Sequence, residues 1–325
     1  MIIEFDDKCW TRLDEDWKRS LIELLVPLVS CEQHFIHATI DSMVAWCSEN
    51  LPLYVDYFKT RLATAQHRIN SLNILISPDG AATVDQNPPW SLTALAARKL
   101  VVRPLRLVFE NDNSDQAFVT SVVTSFATWC QRGWIAPDMG GGAAMERDIE
   151  TSAADPAARW RTFYMFDSDR LHPSELSIDW RPPNGDGCQG FRFEVACAAM
   201  PQTRWHRLNR RSIENYLPQV VLDAVDVSAT SVLFGSSVGS MANHYNLKRG
   251  LAGDGVLPQD PGKVVRASRS QGFWNALPPE ESSVLERGFG RDISNQFTNV
   301  PKGHGWPLDV VAEMDALAVA LQDAM

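Results

Sequence analysis

The chain has 325 residues, 45% of them hydrophobic, enough for two domains or for one large domain with additions. A formal net charge of −10 excludes a generally basic nucleic-acid coat, while leaving room for a local basic groove or for metal-assisted phosphate binding. The six cysteines form no CxxC pair and are too sparse for a disulfide scaffold, so a reducing, cytoplasmic setting is expected.

The first residues show no basic stretch followed by an apolar run, so no signal peptide is expected. Apolar runs such as Leu24-Leu25-Val26 are far too short to span a bilayer, so no membrane partner is expected. Residues 1–100 read as a helical N-terminal region. Ile36, Ile40, Met43, Val44 and Cys47 share a face at helical spacing. Pro52 suits the first turn of a further helix whose stripe runs through Val55, Phe58, Leu62 and Ile69. Ser77 to Pro89 is polar and turn-rich and predicts a loop; the helix after it is capped by Ser91.

From Arg103 the pattern changes. "PLRLVFE" predicts a strand ending at Glu110, "QAFVTSVVTSFATWC" a helix, "GWIAP" a second strand, and 143–160 a helix broken near Pro156. "RTFYMFD" predicts a third strand and "GFRFEVACAAM" a fourth, with a helix from Ser212. Beyond residue 235 the chain is loop-rich until a last amphipathic helix carrying Val310, Val311, Met314, Leu317, Ala318 and Leu321 on one face. Strands alternating with helices predict an α/β fold with a parallel sheet, whose sites form at the carboxyl ends of strands. Alternation therefore places Glu110, Asp167 and Asp169 on one rim. Two aspartates separated by a single serine repel, and their desolvation costs free energy that a bound divalent cation offsets.

A glutamate after the first strand and a DxD after a later one resemble the Toprim domain. In that family a glycine and then an acid often follow the glutamate; here the run is "FENDNSDQAF", so the second acid is Asp112 or Asp115, with Asp115, at the start of a helix, favoured. "RRSIENYLP" (210–218) resembles the IENY segment of OLD-type Toprim nucleases and their relatives in bacterial antiphage systems, and "YNLKRGL" (245–251) resembles their lysine-bearing stretch. The resemblance covers roughly residues 103–325 and implies a Toprim-like core at 101–235, with a C-terminal extension at 236–325 completing the site. It implies a metal-dependent endonuclease acting on DNA or RNA, the effector of an antiphage defence system. Glu110, Asp115, Asp167, Asp169 and Glu214 would hold Mg²⁺ or Mn²⁺, two ions in the two-metal scheme, and Lys248 would steady charge on the phosphate. OLD-type nucleases work with an ATPase. With no Walker motif here, that implies a separate ATPase partner, docked or oligomerised through residues 1–100.

Arg204, Arg207, Arg210 and Arg211 have no acid among them and form a candidate phosphate-binding cluster. Plainer readings stand beside these. The aspartates could cap a turn, Glu214 could be a first-turn helix acid, Lys248 a surface lysine, and the arginines a solvated face or partners of acids. His34 and His37 lack further metal-type ligands, His172 reads as a capping residue, and "GGG" at 140–142 is a close-approach loop rather than a P-loop. The competing function is a catalytically inactive Toprim-like regulatory or assembly module. Primase or topoisomerase chemistry ranks lower, because no strand-passage domain with a nucleophilic tyrosine is evident.

Overall fold

The computed structural model describes residues 1–65, 73–84, 89–152, 154–183, 187–200, 203–254 and 272–325. The expected α/β class holds: two four-stranded, all-parallel sheets are flanked by helices. One expectation is overturned. Residues 1–100 are not simply helical, but build the first of these sheets.

That sheet contains β1 (Ile2–Phe5), β2 (Phe35–His37), β3 (Asn73–Ala81) and β4 (Trp90–Leu92), in the order β2-β1-β3-β4. Around it lie a single turn α1 (Lys8–Thr11) and helices α2 (Glu15–Ser30), α3 (Ile40–Asn50), α4 (Val55–Ala65) and α5 (Ala94–Val101). The strands are short apolar runs that carry no clear period-two signal, so helical periodicity dominates the sequence around them. Ile36, assigned to a helical stripe, sits in β2, and the helix begins at Ile40. Ser91 lies in β4, and Thr93 caps α5 by accepting from the Ala96 N–H at 3.3 Å. The segment from Ser77, expected as a loop, continues β3 as far as Ala81. Ile69 and residues 85–88 lie outside the described residues. The helical stripes are used at home: Leu21, Leu24, Leu25 and Leu28 of α2, Met43 of α3, Phe58 and Leu62 of α4 and Leu100 of α5 bury against Ile3, Phe5, Ile36, Ile74 and Ile76.

The second sheet contains β5 (Leu105–Phe109), β6 (Ile135–Met139), β7 (Thr162–Phe166) and β8 (Arg204–Arg207), in the order β6-β5-β7-β8. This repeats the order of the first sheet. Its connections are α6 (Asp112–Val122) and α7 (Phe126–Gln131), then α8 (Gly142–Ser152) and α9 (Pro156–Trp160), then α10 (Gln189–Ala199). The segment expected as the fourth strand is α10. Gly190, Phe193 and Cys197 are its buried positions, spaced by three and four, whereas "FRFEV" taken alone alternates like a strand. The fourth strand is "RWHR". In place of a helix from Ser212 there is one 3-10 turn, Ile213–Tyr216.

The sheet is buried on both faces, which is why Leu107–Phe109 of β5 and Phe163–Phe166 of β7 read as unbroken apolar runs. Leu107, Phe109, Phe163 and Met165 face α6, α7 and the C-terminal helix Leu308–Ala324. Val108, Tyr164 and Phe166 face Met145 and Ile149 of α8 and Phe193 of α10. The halves meet where Trp90 packs edge-on against Trp160, ring centroids 4.9 Å apart. Arg161, fully buried, donates to the carbonyls of Arg103, Ala324 and Met325 and so fastens the C-terminus to the junction. Trp90→Ala should cost about 3–5 kcal/mol in chemical denaturation, in the range for emptying a buried aromatic site. A loss under about 1 kcal/mol would show that the junction collapses without strain.

Candidate functional site

In the second sheet the chain leaves β5 towards β6 on one side and leaves β7 towards β8 on the other. Neighbouring parallel strands whose connections part in this way open a crevice at their carboxyl ends. Glu110 follows β5 and Asp167 follows β7, so these two carboxylates flank that crevice. Asp115 enters from the first turns of α6, Asp169 from the loop after β7, Glu214 from the 3-10 turn and Lys248 from the loop before Gly250. The structure therefore brings all six residues to one rim. The side chain of Asp112 lies outside the described residues.

The cluster is electrostatically uncomfortable. Burial pushes the Glu110 carboxyl up to about 8, and the charges of Asp169 and Asp115 add to the shift. Burial likewise pushes Asp115 up to about 7, against the hydrogen bond it accepts from the Asn111 N–H at 2.9 Å. Asp167 is held well above the carboxylate range by burial and then by Glu110, Glu214 and Asp115. Burial alone would lower Lys248, but Glu214 first, then Asp167 and Glu110, raise it, so it stays an ammonium. Its Nζ lies 2.9 Å from Glu214 Oε1. Glu214 is only 1% exposed; Oε1 faces Lys248, and Oε2 has no hydrogen-bond partner among the described residues. Buried acceptors without donors are costly, and a cationic ligand would satisfy them.

The surrounding backbone fixes the aspartates. Asp167 Oδ1 accepts from the Ile213 N–H at 3.0 Å and Asp169 Oδ2 from the Gly190 N–H at 3.1 Å. Ser168 donates to the Arg210 carbonyl at 2.7 Å. Asp169 has φ 54°, a left-handed conformation that aspartate tolerates better than most residues. Helix α10 sits directly on this loop: a Cβ on Gly190 would lie 2.4 Å from the Asp167 carbonyl oxygen. The glycines at 140–142 do form a close-approach loop, with the Gly140 N–H donating to the Phe109 carbonyl and Gly141 beside the Glu110 carbonyl.

The "IENY" turn explains itself residue by residue. Ile213 is core, and Glu214 belongs to the site. Asn215 donates to the carbonyls of Ala242 and Tyr245, both at 3.0 Å, and so holds the loop that carries Lys248. The Tyr216 hydroxyl donates to Glu313 of the C-terminal helix at 2.8 Å.

The four arginines do not form a free basic face. Arg204 donates to the carbonyls of Trp160 and Ala324. Arg207 pairs with Glu194, Arg210 with Asp309, and Arg211, buried, with Asp254. The sequence shows no acid nearby because these partners come from distant elements. Glu194, Asp254 and Glu313, which brace the site, had no spacing signal; Gly190, ahead of an apolar helix, was the one support with a local cue. His34 and His37 are not on one helix: buried His34 bonds the Val101 carbonyl, and His37 ends β2. His172 caps a 3-10 turn through the Ser174 N–H, as expected. Among the described residues no group of three or more His, Cys, Asp or Glu side chains is arranged to hold a metal ion. The carboxylates are neighbours, not a closed coordination sphere.

The rim of the first sheet offers a contrast. There Asp6 follows β1, but it accepts from the Lys8 N–H and from Ser77 Oγ, and Lys8 pairs with Asp79. Asp6 and Asp79 are thus satisfied by protein groups. Comparisons of the chain with protein families, curated proteins and solved structures found no match.

Two outcomes follow. Gly190→Ala should cost about 1–3 kcal/mol, as overpacking does, and displace the Asp167–Asp169 loop; an unchanged melting point would show that α10 moves aside freely. The raised carboxyls bind protons more tightly folded than unfolded. Their stabilising contribution is present below the ordinary carboxylate range and is lost as pH rises through about 7 and 8. The chelated protein should therefore melt lower at about pH 9 than at about pH 5, and Asp167→Asn should flatten that slope. A slope unaltered by the substitution would mean that this cluster does not set it.

Proposed function

We propose that the chain is a metal-dependent nuclease that cleaves phosphodiesters of DNA or RNA. The observation that carries this reading is the crowding of five acids with one lysine at the switch point of a parallel sheet, where the buried Glu214 carboxylate has Lys248 as its one close charged partner among the described residues. An all-oxygen donor set suits hard divalent cations such as Mg²⁺ or Mn²⁺. Glu110, Asp115, Asp167, Asp169 and Glu214 would hold one or two such ions. Bound there, a cation supplies an activated water and offsets charge on the phosphate. The chain's own groups do the rest. Lys248 presents a positive charge at the rim, Asn215 keeps its loop in place, and the Ile213 and Gly190 N–H groups aim Asp167 and Asp169.

The resemblance to OLD-type enzymes supports a cytoplasmic antiphage effector restrained or triggered by a separate ATPase. All six cysteines are free, which agrees with a reducing compartment. Among the described residues no helix is long and apolar enough to cross a membrane. Among the described residues of the first hundred, the helical stripes are buried in their own core. Partner docking there would use their outer surface.

A second reading draws on the open arrangement of the acids and the internally paired arginines: a catalytically inactive module used for regulation or assembly. Incubation with single-stranded DNA, duplex DNA and RNA, with Mg²⁺, Mn²⁺ or EDTA, separates the two. The nuclease reading predicts cleavage that needs the cation and falls by more than about a hundredfold in Asp167→Asn, beyond the cost of losing an outer-sphere support. Cleavage that survives EDTA or the substitution would contradict it. No cleavage with any substrate, alone or with the neighbouring gene product, would favour the inactive module.

A further inference from the structure

The groove on the outer side of α6 has no part in the acidic site, yet starts beside it. It encloses about 810 Å³, lined by Asn113, Gln116 and Thr120 of α6 and by Phe297, Lys302 and Trp306 of the segment leading into the C-terminal helix. Residues 113, 116 and 120 are spaced by three and four and so share one helical face. Asp115 is buried on the other side of the same helix, towards the acidic cluster. The first turn of α6, just after Glu110, thus borders both features.

The chemistry of the lining is selective. In a chain of net charge −10, no aspartate or glutamate lines this groove among the described residues. The cleft at the rim of the first sheet differs: Glu4, Asp6 and Asp7 line it and would repel a phosphate. The groove offers an exposed lysine, a partly exposed tryptophan and a row of side-chain amides and hydroxyls. Trp306 makes an edge-to-face contact with His304, ring centroids 5.0 Å apart, and packs against the edge of the core. A rigid aromatic face, a cation and hydrogen-bonding groups together are what an unpaired nucleotide needs: a surface to stack on, a charge for its phosphate and partners for its base edge.

Resting on the nuclease reading, we infer that this groove binds a single-stranded stretch of nucleic acid and leads it over the first turn of α6 to the acidic rim. Trp306 stacks on a base, Lys302 meets the backbone, and Asn113 and Gln116 contact base edges. A groove between a helix and a loop accepts unpaired nucleotides, whose bases are free to stack, better than duplex, whose bases are already stacked.

The test is fluorescence anisotropy of the full chain with labelled oligothymidylate, oligouridylate and a blunt duplex of equal length, in EDTA so that nothing is cut. The inference predicts tighter binding of single strands. Trp306→Ala should weaken that binding by about fivefold or more, the loss of one stacked base. Because Trp306 also contributes to packing, the exposed Lys302→Ala is the independent check. It should flatten the salt dependence by about 0.7 in log–log slope, one phosphate contact on a single strand. Unchanged affinity in both variants, or a preference for duplex, would overturn the inference. Its failure is distinguishable from failure of the nuclease reading. Cation-dependent, Asp167-dependent cleavage with binding indifferent to Trp306 and Lys302 removes only the groove. Binding that depends on both residues without cleavage under any condition supports the groove and removes the nuclease.

Discussion

The rest of the structure depends on one unfavourable interaction. Carboxylates gathered at the carboxyl ends of β5 and β7 are desolvated and repel one another, so that Glu110 and Asp115 keep protons far above the ordinary carboxylate range. A chain gains nothing in stability from such a cluster. It persists because the scaffold over-determines it: Phe109 and Met165 are paired in register, Ile213 and Gly190 donate to the aspartates, and helix α10 closes against the loop with no room for a side chain at residue 190. Such crowding, next to a lysine kept charged by the same acids, is what supports the proposed cation site.

The bracing continues outward through buried and half-buried pairs. Glu194 is shared by Arg170 and Arg207, Asp254 receives Arg211, and Glu313 receives Tyr216 and the Asn209 N–H. Removing one partner from such a pair leaves an uncompensated charge, which costs more than the pair contributes. These pairs tie α10, the loop at 243–254 and the C-terminal helix to β8 and to the segments that follow β7 and β8. The C-terminal extension is thus part of the site's frame. The first sheet, with the same strand order but an acid after β1, Asp6, that is bonded by Lys8 and Ser77, shows that the topology alone does not produce the acidic cluster.

Much of the second half was legible in the amino-acid order. Strands β5 and β7 are apolar on both faces over Leu107–Phe109 and Phe163–Phe166 because helices cover both faces, and each is followed by an acid. That made three rim carboxylates readable from alternation alone. The first sheet was not readable, since "IIEF" and "FIH" are too short to show a period. Helix α10 was misread because its two phenylalanines alternate over the few residues where strand and helix look alike. The arginines were misread for a different reason. A local sequence shows which charges are near in the chain, whereas Arg204 and Arg210 find their partners on the C-terminal helix, far along it.

The most direct measurement is calorimetric titration of the full chain with Mn²⁺ near neutral pH, repeated in two buffers of different ionisation enthalpy. Glu110 and Asp115 hold protons near neutrality, and a cation bound between them must expel those protons. The account predicts saturable binding with a buffer-dependent heat that reports proton release, and loss of both in Asp167→Asn. Saturable binding without proton release, or binding that survives the substitution, would contradict the claim that this acidic rim is a cation site.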